Sequence, residues 1–314
     1  MRYNILRRRP THFLSFTGLT VEEYGRLVAQ LEPEWVKQRT KRLIKNNPDR
    51  KRKIGGGRHY GLPALEDRLL LTLVWTRTYP SHTFLEYLFG IDESTVSRTI
   101  RETILLLQDR FIIPDPRKQK GRKKIKTLEE LAEFLPKGVE LGDILTDGTE
   151  QAIPRPLKKL QRKKYHSGKK KRFTVKTQVA TTKNGYILHV SRASPGRRHD
   201  YRIFKESILP QLVPKHARLY GDSGYQGIRK DFPALRSVIP YKRTRNHTIL
   251  TRSEKIRNTK QRRIRVKIEH AISRLKKYRV LADIYRHSLQ NYNQTFRFIA
   301  NVANFRMIQR AQAV

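Results

Sequence analysis

The sequence predicts an all-α region followed by an α/β domain with a mixed sheet. Three observations predict it. Apolar residues recur at helical spacing through residues 20–107, short β-rich runs alternate with helical ones in the second half, and a Pro/Lys-rich stretch separates the two textures. The expected layout is a helical region and basic linker over residues 1–60, a three-helix unit over 61–113, a second basic linker over 114–135 and the α/β domain over 136–314.

The elements follow in order. Thr20 and Glu23 stand at capping-box spacing, and Tyr24, Leu27, Leu31 and Trp35 follow at helical intervals, so residues 20–46 read as a helix that Pro33 would bend or interrupt. Residues 46–61 form a Gly-rich basic linker. A helix from Pro63, another over Ser81–Phe89, a turn at Gly90-Ile91-Asp92 and a third helix over Ser94–Leu107 have the order of a helix-turn-helix. Ser94, Ser97, Arg98 and Arg101 in the third helix would suit base edges and phosphates. A structural three-helix bundle is the other reading of the same pattern.

Beyond the linker, Gly142–Asp147 is a short apolar run ending in an acid. Arg172–Thr181 and Tyr186–Ala193 are β-rich and joined through Asn184-Gly185, a strong hairpin signal. A helix over His199–Leu212, strands over Ala217–Tyr220 and Ser237–Pro240, and helices over Thr259–Tyr278 and Asn291–Gln309 complete the chain. Three early strands meander, and the later ones are separated by helices.

Charge narrows the function. Among 314 residues, 69 Lys and Arg face 27 acids, a formal net charge of +42. So basic a chain implies a polyanionic partner, because each neutralised phosphate releases condensed counterions. The bases run along the whole chain, which suggests a long nucleic-acid path. Lys163, Lys164 and Lys169, Lys170 and Lys171 crowd the start of the hairpin around Tyr165; a solvated face is one reading, phosphate contact the other. The chain has no cysteine, which excludes disulfides and thiolate zinc sites. The basic start lacks a signal peptide's apolar stretch, and Leu69–Trp75 is too short to span a bilayer, so a cytoplasmic rather than nuclear or membrane protein is expected.

In a chain this basic, acids beside predicted strands stand out. Asp147 (in ILTDGTE) and Asp222 (in LYGDSGYQG) each follow a strand and precede a Gly region. Glu269 lies among bases on one helix face with Arg262, Arg265 and Lys276, next to an apolar face of Ile264, Ile268, Ile272 and Leu275. Phosphodiester cleavage aided by divalent metal needs carboxylates converging from distant parts of a chain. Each acid also has an ordinary use: Asx turns for the two aspartates, a surface ion pair for Glu269.

These segments resemble the DDE transposases of bacterial insertion sequences and their Harbinger-like relatives. The resemblance runs through GGGR (55–58), RTYPS (77–81), LFGIDESTVSR (88–98), DGTE (147–150), GRRHD (196–200), GDSGYQG (221–227), IPYKR (239–243) and the late helix. It implies an RNase H-like catalytic domain with Asp147, Asp222 and Glu269 as catalytic, metal-binding residues for Mg²⁺ (Mn²⁺ as substitute), two ions in all. The family's signature helix has Tyr, two residues, Arg, three, Glu, six, Lys. Arg265, Glu269 and Lys276 match it, and Arg262 takes the place of the Tyr. His199 and Asp200 match an auxiliary position; Asp200 also reads as an N-cap, and His199 as a contact to DNA or to a metal ligand. The implied activity is cut-and-paste transposition on double-stranded DNA, transposon ends and target, by a homodimer or larger assembly. The rivals are a silent DNA-binding regulator, a structure-specific nuclease and a histone-like architectural protein.

Overall fold

The structure, a computed structural model, describes residues 1–46, 61–107, 142–213, 216–245 and 247–312. The basic linkers, with GGGR at 55–58 and the stretch 114–135, lie outside them. The chain divides into two compact units: Met1–Gln108 with Tyr278–Val280 and Gln309–Val314, and Asp109–Lys277 with Leu281–Ile308.

The first unit is helical: α1 (Tyr3–Leu6), α2 (Pro10–Thr17), α3 (Val21–Asn46), α4 (Leu65–Thr78), α5 (His82–Phe89) and α6 (Glu93–Leu107). Thr20 and Glu23 close the expected capping box, each accepting the other's backbone N–H at 3.1 and 2.8 Å. Pro33 does not interrupt α3, which runs through it from Val21 to Asn46. Helix α4 is buried nearly all round, from Leu65 to Thr76, and forms the centre of the unit. Gly90, at φ +62°, ends α5. Asp92 then starts α6 by accepting the Thr95 N–H at 3.0 Å and the Ser94 hydroxyl at 2.5 Å.

The second unit is α/β and RNase H-like. Its sheet holds β1 (Ile144–Ala152), β2 (Arg172–Thr182), β3 (Ile187–Val190), β4 (Arg218–Tyr220) and β5 (Arg236–Val238) in the order β3-β2-β1-β4-β5, with two-residue strands at His166 and Ser194 adding to β2. The first three are antiparallel; β1, β4 and β5 are parallel. The β2–β3 turn passes through Gly185 at φ +84°, where the Asn-Gly pair placed it. Helices α7 (Lys159–Tyr165), α8 (Asp200–Glu206), α9 (Leu209–Leu212), α10 (Ile228–Asp231), α11 (Arg252–Lys276), α12 (Arg279–Ala282) and α13 (Leu289–Gln312) complete the order.

β1 is buried on both faces. Ile144 joins Leu188, Phe204 and Leu219 on one side, while Leu145 packs with Tyr220 and Ile268 of α11 on the other. The expected apolar face of α11 is thus the one that docks.

Three expected boundaries are corrected. β1 does not end at Asp147 but continues to Ala152, because β2 pairs with it as far as Ala152↔Thr174. The helix expected over His199–Leu212 is two helices; Pro210, which lacks an N–H and would clash with the carbonyl of Glu206, stops the first one there. Helix α11 begins at Arg252 rather than Thr259, started by a capping box of Thr251 and Glu254.

Candidate active site

The parallel pairing of β1 with β4 ends at Leu145↔Tyr220. Two residues farther on, β1 presents Asp147 and the chain after β4 presents Asp222, so alternation brings both to the side where Leu145 and Tyr220 meet α11. A crevice beyond the carboxyl ends of adjacent parallel strands is where open α/β sheets place ligands. Asp222 is extended and caps the 3₁₀ turn Ser223–Tyr225 by accepting the Gly224 N–H at 2.9 Å.

Asp147 is short of cationic partners. Its carboxylate accepts its neighbour Gly148 N–H at 2.8 Å and stands 3.8 Å from the Arg265 guanidinium of α11. Burial pushes its carboxyl up to about 6, against the pull of Arg265 and that N–H, and the charges of Asp222 and Asp200 push the same way as burial.

The helix cap at α8 is His199, whose Nδ1 accepts the Tyr201 N–H at 3.4 Å; Asp200 is the first helical residue and not the N-cap it resembles in sequence. Asp200 instead ion-pairs with Lys176 of β2 at 3.1 Å and lies over Gly148, where an added Cβ would stand 3.2 Å from its carboxylate. The glycine after Asp147 therefore serves close approach within a strand, not a turn. Lys176 also reaches Glu150 at 3.5 Å, and Thr174 donates to Glu150 at 2.9 Å. Sequence reasoning missed Lys176 and Glu150. They are cross-strand neighbours in the β1–β2 register, a pairing visible only once the register is known.

Glu269 is not drawn in. It is exposed on α11, one turn after Arg265, and it is Arg265 that faces Asp147. Among the described residues no group of three or more His, Asp or Glu side chains is arranged to hold a metal ion. Asp147 and Asp222 nonetheless suit a hard divalent cation, since Mg²⁺ commonly takes one or two carboxylates and fills its other positions with waters and substrate phosphates.

The residues expected on DNA fall into three places. Ser94, Ser97, Arg98 and Arg101 are exposed along one face of α6, opposite buried Val96, Ile100 and Ile104. The Ser94 hydroxyl is engaged by Asp92. Lys169, Lys170 and Lys171 are exposed in the turn leading into β2. Arg262 is exposed near the middle of α11. Near that helix's end, Lys276 reaches the Glu150 carbonyl at 3.5 Å; burial first, then the charge of Lys170, lowers its pKa. Lys170 and Lys276 thus come together from distant sequence.

No helix among the described residues is long and apolar enough to cross a membrane. Residues 146–304 match the family model of the DDE superfamily endonuclease, and residues 61–111 match that of the helix-turn-helix of DDE superfamily endonuclease. A probable transposase for insertion sequence element IS702 from Microchaete diplosiphon is 30% identical over 266 residues, covering 84% of this chain and 88% of that protein. A putative transposase for insertion sequence element IS112 from Streptomyces albus G is 26% identical over 283 residues, 89% of each. With two aspartates placed where a pair of parallel strands part and a helix-turn-helix ahead of them, the chain belongs to the DDE superfamily endonucleases.

Proposed function

We propose that this chain is a cut-and-paste DNA transposase, with residues 61–113 docking on terminal inverted repeats and residues 136–314 cutting and joining strands. The observation that carries the reading is the pair Asp147 and Asp222, set side by side where β1 and β4 part.

Asp147 and Asp222 are the residues that would hold Mg²⁺ or, in its place, Mn²⁺, and Glu269, exposed on α11 in this structure, is the third carboxylate that the family resemblance calls for. Two such ions, when bound, supply Lewis-acid activation of water or a 3′-hydroxyl and stabilise the leaving oxygen. The chain's own residues do the rest. The exposed face of α6 with Ser97, Arg98 and Arg101 enters a groove and fixes register. Lys170 and Lys276 grip backbone phosphates close to Glu150 and the carboxylate strand. Lys176 holds Asp200 against Gly148, beside Asp147, which keeps this side of the crevice from collapsing onto the acid pair. Joining two transposon ends calls for a dimer or larger assembly on the DNA, acting inside the cell on its own DNA.

The test is cleavage of DNA carrying the inverted repeats that flank the gene, with Mg²⁺ or Mn²⁺, read on a denaturing gel for wild type and Asp222→Asn. Metal-dependent cuts at the repeat ends, absent from the variant, are expected. Equal cutting by both proteins would remove Asp222 from the chemistry, and end binding with no cutting by either would favour a regulator.

A further inference from the structure

The α/β unit contains a second concave site, away from the acid pair. A cavity of about 510 Å³ opens between the chain after β3, helix α8 and helix α13. That volume lies within the usual range of small-molecule pockets. Its lining is polar and basic: Arg192, Arg198 and Arg297 contribute guanidinium groups, with Ser194 and Asn293 between them. Glu206 is the acid in the lining, and Arg198 and Arg202 already engage it at 2.5 and 3.1 Å.

The three arginines are graded in depth. Arg297 is only 7% exposed, Arg198 is partly buried, and Arg192 is exposed at the mouth. The loop carrying Arg192 is held by the Asn293 side chain, whose Oδ1 accepts the Ala193 N–H at 2.7 Å. Guanidinium groups at several depths in a polar pocket suit a multivalent oxyanion, since a guanidinium carries five N–H donors and can offer some to phosphate oxygens beside the partners it already has.

Its position relates it to the acids. Val190, in the wall, pairs with Val179, which pairs with Asp147, so two strand spacings separate them, about 10 Å. Helix α8 makes the same connection: Asp200 at its start lies over Gly148, and Glu206 at its end lines the cavity. We propose that this cavity is a second phosphate-binding site, which takes a backbone phosphate of DNA held at the acid pair. The choice of DNA as the phosphate's source rests on the reading of the chain as a DNA-cutting enzyme; the phosphate chemistry of the cavity does not.

The test measures binding of the full-length protein to a fluorescent duplex by anisotropy across a salt series, without divalent metal. Arg192→Gln and Arg297→Gln are compared with wild type and with Arg229→Gln, which removes the same charge from an exposed position outside the cavity. The slope of log affinity against log salt should become shallower by about 1 in each cavity variant and stay unchanged in Arg229→Gln. If Arg297→Gln fails to fold, Arg192→Gln, at the exposed mouth, carries the comparison. A parallel arm titrates inorganic phosphate and follows melting temperature. A phosphate-dependent rise in wild type, lost in Arg192→Gln with the DNA slope unaltered, would keep the phosphate site and assign it a free phosphate rather than DNA. Wild-type slopes in both cavity variants with no phosphate-dependent rise would overturn the site, as would an equal fall in Arg229→Gln. Failure of wild type to bind DNA at all would instead sink the DNA-cutting reading.

Discussion

Two aspartates four residues apart, Asp143 just before β1 and Asp147 within it, have opposite surroundings. Asp143 accepts the backbone N–H of Arg218 at 3.0 Å, the Arg218 guanidinium at 2.7 Å and the Lys183 ammonium at 2.6 Å. Burial alone would raise its carboxyl, but the hydrogen bonds from Arg218 and Lys183 overcome it and hold the group well below the usual carboxylate range. Asp147 has one distant guanidinium, two acidic neighbours and a carboxyl pushed up to about 6. An acid whose partners are complete fastens strands together. An acid kept buried and short of positive charge is less stable than it could be, which a fold tolerates where a ligand supplies the charge.

The largest expected effect comes from removing the charge that has no full complement. Asp147→Asn and Asp222→Asn should each lower metal-dependent cleavage on the order of 10³-fold, equivalent to about 4 kcal/mol of barrier. The melting temperature of Asp147→Asn should be unchanged or higher, since a partly buried carboxylate repelled by Asp222 and Asp200 is relieved. Cleavage within tenfold of wild type, measured in single turnover, would break the contrast with Asp143.

Asp143→Asn should do the reverse. Losing charged hydrogen bonds at a partly buried site should lower unfolding stability by about 1.5–3 kcal/mol, read by denaturant titration, with cleavage per folded molecule kept. The pH dependence has a definite sign. Because the folded carboxyl lies below its unfolded value, its stabilisation is complete above that ordinary value, near 3.9, and is lost as pH falls through the folded one. Wild type should therefore lose stability more steeply than Asp143→Asn on acidification below about pH 4. Parallel curves for the two proteins would show that the clasp contributes nothing.

Asp200 lies between these extremes, with one cation, Lys176, shared with Glu150. Lys176→Met should cost about 1–2 kcal/mol, less than the Asp143 change, because Glu150 keeps Thr174 and the Asp200 side chain, 35% exposed, can turn to water. A loss above that of Asp143→Asn, by the same titration, would make this network the stronger fastening.

What the sequence made legible were features encoded locally. The period of α6, the turn at Gly90-Ile91-Asp92 and the Asn184-Gly185 turn all sit within a few residues of what they determine, and each is found in the structure. Asp147 and Asp222 were visible as lone acids beside predicted strands in a basic chain. The Asp143 clasp was not, because its partners stand 40 and 75 residues away, at Lys183 and Arg218. The Glu150–Lys176 pair needed the register. Asp147-Gly148 looked like a turn because Asp-Gly commonly is one, yet its neighbour β2 extends the strand through it. Glu269 was visible by its spacing from Arg265 and Lys276, whereas the contact of Arg265 with Asp147, one turn before Glu269 on the same helix face, needed the docking of α11 on the sheet.

The smallest effect on stability, and the finest division within the site, should come from Gly148→Ala. The added methyl would stand 3.2 Å from the Asp200 carboxylate, tight enough that the carboxylate must shift by a few tenths of an ångström. Backbone conformation raises no objection, since Gly148 is an extended strand residue paired with Gln178, and Ala restricts the unfolded chain. The gain and the displacement oppose each other, so stability should change by less than about 1 kcal/mol. Asp200, however, cannot move from Gly148 without altering its 3.1 Å contact to Lys176 and its distance from Asp147. If Asp200 only fills space, cleavage by Gly148→Ala will equal wild type. If its placement tunes the acid pair, cleavage will fall severalfold at unchanged melting temperature, and the contrast will extend from the two ends of β1 to its two faces.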